Sequence, residues 1–447
     1  MSIKKMLFVV LVASLVASLV ASAAMLAVGG SVTYARFSES VAAWPSEPGW
    51  MSSEVTVSAL DNDQWSPAIA YNWKQNEYLI VWENEWGGGG HDIYAQRVTS
   101  GGELKSWFYV PDDSTFTKEN RMQPDVAYDP VNDRYLVTWI YWDGSDWNVH
   151  GRFIPWDGPS ASLTEFQICD WASDQWKPKV AYARNPQEFL VVWMNAPSGS
   201  PTYISGHTVP ADGSYVNPNG GFTISSGPED RDFPDVTYNL ARNDYLAAWD
   251  VVSGTTGIDI YGERIRASDL YQYGEFGIAG WAEDEQHPAV AACNDTDQYL
   301  VAWQSLQSGT YNDVYVRFVD GDGSFPTGGG PHVIYNTLIH EQNPDVACNS
   351  TTSGSMFLVT YEQQYSNITG PYGVWGRLVY QDYSMSSAFG IVAGTGSLNR
   401  TEPVVAGGGA NYMVAWEHDR DASYQDIHGR LMSPYAVFLP LVLRNYQ

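Results

Sequence analysis

The chain has 447 residues, with 23 Lys+Arg against 51 Asp+Glu and a formal net charge of −28. An apolar fraction of 44% excludes a disordered chain, and the acidic excess excludes a protein that binds nucleic acid by neutralising its phosphates. The length allows about three ordinary domains or one large repeat architecture.

The first element is a leader over residues 1–30. Lys4 and Lys5 precede an uncharged run from Met6 to Val28, followed within it by small residues at Ala21-Ser22-Ala23. This is the pattern of a signal peptide, with a basic start, an apolar middle and a small-residue cleavage site. The run would also reach about 34 Å as a helix, enough for a retained N-terminal anchor. Both readings place the rest of the chain outside the membrane, secreted or at the cell surface, because the two lysines favour an inside N-terminus. Residues 31–53 read as a linker.

From there on, one unit is repeated seven times. Each copy opens with Pro and a short strand-like run: Pro67 to Tyr71, Pro124 to Tyr128, Pro178 to Tyr182, Pro234 to Tyr238, Pro288 to Ala292, Pro344 to Cys348 and Pro403 to Gly407. The mean spacing of 56 residues lies just above that of four-stranded propeller repeats. A second run ends in an aromatic residue, as in Tyr78 to Trp82, Phe189 to Trp193 and Phe357 to Tyr361. Such five-residue runs, apolar on both faces, read as strands covered on both sides. A third run commonly ends in Gly-Arg, as in Val149 to Arg152 and Val374 to Arg377. Turns such as Asp320 to Gly323 then lead to a short fourth strand.

Small sheets that are apolar on both faces must each pack between two neighbours, and a ring leaves no end uncovered. The predicted fold is therefore all-β, a seven-bladed β-propeller of four-stranded antiparallel blades over 54–432. Val55 to Val57 occupies the fourth-strand position ahead of Pro67, with no blade before it. The N-terminal strand at 54–58 is thus expected to complete the seventh blade, in preference to the apolar tail within 433–447, Val437 to Leu443.

The three cysteines, Cys169, Cys293 and Cys348, fit no zinc pattern, and their odd number excludes full pairing. Cys293 and Cys348 fall near equivalent places in neighbouring repeats. All three are nevertheless expected to be buried free thiols, because innermost strands of adjacent blades rarely bring Cβ atoms within about 4.5 Å.

The Pro-Asp-Val-Ala-Tyr, Tyr-Leu-Val-x-Trp and Gly-Arg runs resemble the poorly characterised propeller repeats of exported bacterial proteins. That resemblance covers about 54–432 and implies the fold without an activity. Phe438 to Arg444 is similar to a short tail of exported proteins from some thermophilic bacterial lineages. The turn of sialidase-type blades is missing, as is the regular placement of kelch glycines or of WD pairs, so no family chemistry carries over.

One face of a propeller collects the loops that enter each first strand and those that follow each second strand. Here those loops combine tryptophan with carboxylates, the pairing that suits sugars: rings stack on a pyranose while Asp and Glu take its hydroxyls. The expected ligand-binding residues are Trp65, Trp86, Trp142, Trp176 and Trp281 with Asp63, Asp174 and Asp284. The alternative is that these tryptophans pack between blades.

Asp or Asn stands four residues before every repeated Pro except Pro344, which has His340 there, and these residues are expected to close turns onto following amides. Calcium is the one cofactor these oxygen-rich loops would suit, and otherwise none is expected. The recurring Arg97, Arg152, Arg264, Arg317, Arg377 and Arg430 are expected to brace neighbouring blades. Asp125, Asp235 and Asp345 follow the Pro in alternate blades. They are read as structural, with acid–base cleavage of a glycan as the catalytic alternative.

No catalytic residue is assigned, and enzymatic activity is left open. The leading function is an exported, non-catalytic, monomeric binding propeller. Its expected partner is carbohydrate or a cell-surface protein, with no nucleic acid, and it meets the membrane only through a retained leader. A glycoside hydrolase or lyase, and a structural module of the cell envelope, are the other two readings.

Overall fold

The computed structural model describes residues 50–434, apart from 113–119, 255–256, 294, 308–310, 336, 352–353, 366–369, 395–396, 410 and 422–423. The expected leader at 1–30, most of the linker and the tail segment 437–443 lie outside the described residues. Seven antiparallel sheets form the ring. Their innermost strands, which number the blades 1 to 7, are Gln64–Asn72, Arg121–Asp129, Asp174–Ala183, Arg231–Asn239, Glu285–Ala292, Glu341–Thr351 and Arg400–Gly408.

The core lies between blades rather than inside any one of them. Seven apolar clusters fill the seven gaps; Leu79 and Val81 of blade 1, for example, meet Val126, Val137 and Trp139 of blade 2. The aromatic residue that ends each second-strand run, six Trp and Tyr361, is fully buried there. Burial of both sheet faces explains why these strands read as continuous apolar runs rather than alternating ones.

The Gly-Arg run also has a physical cause. A Cβ on Gly151 would come within 2.9 Å of Ile168, just past the fourth strand Phe166–Gln167, so glycine lets the outer strand close onto the third. The following arginine reaches back to the preceding blade. Arg152 donates to Val110 O at 2.5 Å and Arg317 to Ile278 O at 2.6 Å, while Arg377 and Arg430 reach the Ile334 and Ile391 carbonyls. The other two pair with an acid of their own blade, Arg97 with Glu77 at 2.8 Å and Arg264 with Asp244 at 2.5 Å, and Arg97 also donates to Asp157 O of the following blade at 3.2 Å.

The N-terminal strand closes the ring as expected. Val55–Ser58 pairs antiparallel with the third strand of blade 7, matching Val55 to Gly429 and Thr56 to His428. A further pairing of Trp50 with Ser433 and Met51 with Met432 lengthens the seam on both sides of the 54–432 unit.

The cysteine expectation is corrected. Cys293 and Cys348 form a disulfide across blades 5 and 6, with Cα atoms 5.4 Å apart, and only Cys169 is a buried free thiol. Innermost strands are the thin ends of wedge-shaped blades, and away from the Pro end they crowd together. In the next gap round the ring, a Cβ on Gly407 would collide with the Cys348 carbonyl, so the crowding extends beyond the bridged pair. The bridge encloses a 55-residue separation, and removing such a crosslink costs about 2–4 kcal/mol. Paired Cys293→Ser and Cys348→Ser substitutions are expected to lower Tm by roughly 2–5 °C in calorimetry, an effect reproduced by reductant on the native chain, while reductant should leave the double variant unchanged.

Candidate functional site

The innermost strand of each blade carries the same irregularity. Ser66 and Pro67 together oppose the single residue Trp82, and the other six blades repeat this bulge at their own Pro. Proline suits the place because a bulge needs no N–H for the ladder. The residue before it is left-handed in all seven blades: Ser66, Gln123, Lys177, Phe233, His287, Asn343 and Glu402 have φ between 47° and 54°. That conformation costs an ordinary side chain about 1–2 kcal/mol.

A cap from a neighbouring group holds each strained amide. The residue after the buried aromatic of one blade accepts the N–H of the next blade's bulge. Ser66 donates to Glu417 at 2.8 Å, Gln123 to Glu83 at 3.1 Å, His287 to Asp250 at 3.4 Å, Asn343 to Gln304 at 2.9 Å and Glu402 to Glu362 at 2.8 Å. Blades 2 and 3 carry Ile140 and Met194 at that position and offer no acceptor. Gln123 Oε1 takes the Lys177 amide instead, at 2.8 Å, and Asp232 takes that of Phe233, at 2.7 Å.

The seven bulges line an axial cavity of about 570 Å³ at the mouth of the channel. Their backbones are alike and their side chains all differ, so the cavity is asymmetric. On one side the Lys177 ammonium sits 3.1 Å from the centroid of the Phe233 ring, and Phe233 lies tilted against His287 with ring centroids 3.8 Å apart. His287 Nδ1 meets Asn343 Oδ1 at 2.8 Å. The Asn343 amide then donates to both Glu362, at 2.8 Å, and Glu402, at 3.2 Å. The other side holds Glu417, Glu83 and Trp65, with small Ser66 between them.

Charges in the cavity are largely compensated. Lys177 pairs with Asp232 at 2.7 Å, and Glu83 with His91 at 2.7 Å. Burial, with Glu362 close by, pushes Glu402 up to about 7; burial likewise raises Glu417 to about 8 and Asp250 to about 7. Burial also keeps His287 below its ordinary range, favouring the neutral ring.

One residue deeper, Asp125, Asp235 and Asp345 show why they occur in alternate blades. The channel-facing edge of an innermost strand has no partner strand, so its amide needs another acceptor. Each Asp accepts the next amide of its own strand, from Val126, Val236 or Val346. It also accepts the matching amide of the following blade, Val180 at 2.7 Å, Val290 at 2.7 Å or Val405 at 2.6 Å. Three carboxyls thus serve six strands. Lys179, 3.9 Å from Asp125, lies among all three. Burial raises Asp125 to about 6 and Asp345 to about 7 in spite of the amides.

Of the residues singled out from the sequence, Trp65 lines the cavity and stacks on His91 at 5.5 Å. Trp142 and Trp176 join through Trp147, at centroid distances of 5.6 and 5.3 Å, in a half-buried cluster of blades 2 and 3. Trp86 donates its indole N–H to Asp92 at 3.1 Å, and Trp281 packs edge-on to Tyr315. These last two stand apart, in blades 1 and 5.

Asp63, Asp174 and Asp284 accept amides of the preceding blade's third strand, from Gln425, Trp147 and Ile258. The expected turn onto following amides is therefore corrected: these carboxylates pin one blade to the next. The bulge residues themselves escaped the sequence reading. Their signal was available, since the place before the repeated Pro is where seven copies carry seven different residues.

No protein-family model matches the chain, and no curated protein matches it. Among solved structures it is similar to a protein of unknown function from Dyadobacter fermentans, at 11% identity and TM-score 0.51, covering 87% of this chain and 100% of that one. It is also similar to a mutant puromycin hydrolase, at 12% identity and TM-score 0.51, covering 83% of this chain and 54% of that one. These two share its fold. An endo-arabinase from Bacteroides thetaiotaomicron, 13% identical over 63% of this chain and 97% of its own, is less similar in structure, with a TM-score of 0.39.

The raised carboxyls dictate a pH trend. A group whose folded pKa exceeds its unfolded value contributes stability below the unfolded value, and that contribution is lost as pH rises through the folded one. With Asp125 near 6 and Asp250, Asp345 and Glu402 near 7, the loss runs from about pH 4 to 8. Tm is therefore expected to be higher at pH 5 than at pH 8, and Glu402→Gln should flatten the slope. A Tm that climbs between those values would contradict the assignment.

Proposed function

We propose that this protein is an exported binding propeller that takes a neutral, polyhydroxylated ligand of the carbohydrate class in its axial cavity, without transforming it. The observation that carries this reading is the variable bulge. Repeats that agree elsewhere in backbone and core differ in every copy at the left-handed residue that lines the cavity, and a merely structural channel has no need of seven different residues there.

The cavity's volume suits a small ligand, and it combines two aromatic surfaces, Trp65 and Phe233, with fixed hydrogen-bonding groups. Its cations are already paired and several of its carboxyls are pushed toward neutrality, so no strong net field selects an ion. Carboxyl, amide and imidazole groups that both donate and accept match hydroxyls, which do the same. The disulfide supports an oxidising compartment, in keeping with a leader for export.

Catalysis has one specific observation in its favour: Glu362 and Glu402 share the Asn343 amide, and Glu402 is raised to about 7, the range of a general acid. One experiment separates the readings. An oligosaccharide array followed by calorimetry on the hits is expected to give saturable binding with no release of reducing ends. Trp65→Ala should weaken that binding about tenfold or more, the scale of a lost aromatic platform. Release of reducing ends that vanishes in Glu402→Gln would transfer the protein to the hydrolases. An array without hits, or a Trp65→Ala variant that binds as the native chain does, would overturn the cavity assignment.

A further inference from the structure

The seam that closes the ring holds a second cluster, remote from the axial cavity in its chemistry. Glu54 lies just ahead of the N-terminal strand, His418 on the second strand of blade 7 and His428 on the third. All three are half-buried, and one donor atom from each lies within 4.8 Å of the other two. It is the one such grouping among the described residues.

Blade 2 provides an internal reference. His150 Nδ1 meets Glu165 Oε1 at 2.8 Å, as His428 Nδ1 meets Glu54 Oε1 at 2.7 Å. In blade 2 the position corresponding to His418 is Tyr141, and Arg121 donates to Glu165 at 3.4 Å, so a structural ion pair accounts for every group. Blade 7 departs from this in two ways. A histidine replaces the tyrosine, and Arg400, which corresponds to Arg121, donates instead to the Leu398 carbonyl at 2.7 Å.

The result is two imidazole nitrogens converging on one carboxylate oxygen. His428 Nδ1 lies 2.7 Å and His418 Nδ1 3.2 Å from that oxygen, Glu54 Oε1. The two rings stack at 4.0 Å. Ligands held at about 2.0–2.2 Å from a tetrahedral ion stand roughly 3.3–3.6 Å from one another, so an ion would open the 2.7 and 3.2 Å separations from Glu54 Oε1 by less than about 1 Å. The Arg400 guanidinium comes to 3.5 Å of His418 Nε2, on the far edge of the ring from the converging atoms.

We propose that Glu54, His418 and His428 bind one divalent transition-metal ion of the zinc type, clasping the N-terminal strand onto blade 7. Two imidazoles and one carboxylate are borderline donors that favour such an ion over calcium, and three protein ligands leave one position for solvent. An ion held there joins the two ends of the propeller, so it binds the closed ring and not the open chain, and stabilises it by mass action.

The test uses the full chain stripped with chelator. Titration with Zn²⁺ in a calorimeter is expected to show one ion per chain and a rise in Tm, and Co²⁺ should give the visible absorption of a low-coordinate nitrogen site. His418→Tyr, which copies blade 2, is expected to keep the metal-free Tm while weakening Zn²⁺ binding about tenfold or more and abolishing the Co²⁺ band. Glu54→Gln should weaken binding as well. The assignment is overturned if His418→Tyr binds Zn²⁺ as the native chain does, if the native chain shows no saturable site, or if Ca²⁺ and Mg²⁺ raise Tm equally.

Discussion

The structure depends on how the innermost strands satisfy their backbone. Each is a sheet edge that faces a narrow channel instead of water or another strand, so its amides must find acceptors among side chains. At the bulge the acceptor belongs mostly to the preceding blade, and one residue further on it is an aspartate shared between two blades. These bonds link each blade to the next around the axis, while apolar clusters seal the same gaps further out. Stability of a blade and closure of the ring are therefore a single problem.

That solution explains several features which look unrelated along the chain. Polar residues end otherwise apolar second strands because the next blade's left-handed amide needs a cap. Where Ile140 and Met194 withhold that cap, Gln123 and Asp232 supply it from beside the bulge. Aspartates appear in alternate blades because a carboxylate has two oxygens, each able to serve one strand. The cost is a set of carboxyls held in a low-dielectric channel, several of them raised toward neutrality. The formal charge of −28 thus overstates the charge of the channel itself.

A symmetric ring has also produced an asymmetric site. Since the bulge fixes the backbone, its side chain is free of the repeat's constraints, and each blade contributes a different group to one cavity. The Lys177–Phe233–His287–Asn343 series forms a continuous wall, and Ser66, the smallest of the seven, leaves space beside Trp65. Blade 7 differs from its siblings in another way. Built from both ends of the chain, it carries the extra histidine where the seam is made.

The sequence by itself determined the blade count, the strand order and the closure by Val55–Ser58, because a repeated apolar pattern has few ways to bury both faces of a sheet. The arginine braces of blades 1, 2, 5, 6 and 7 were legible for the same reason: recurrence in equivalent places marks a shared structural task. Tertiary structure alone decided what depends on distance across the axis. The approach of Cys293 to Cys348, the convergence of seven unlike residues on one cavity, and the meeting of Glu54 with His418 and His428 join positions that are 54 to 374 residues apart. Periodicity says which face a residue occupies. How near two faces come is set by the taper of the wedges and the curvature of the ring, which no spacing along the chain encodes.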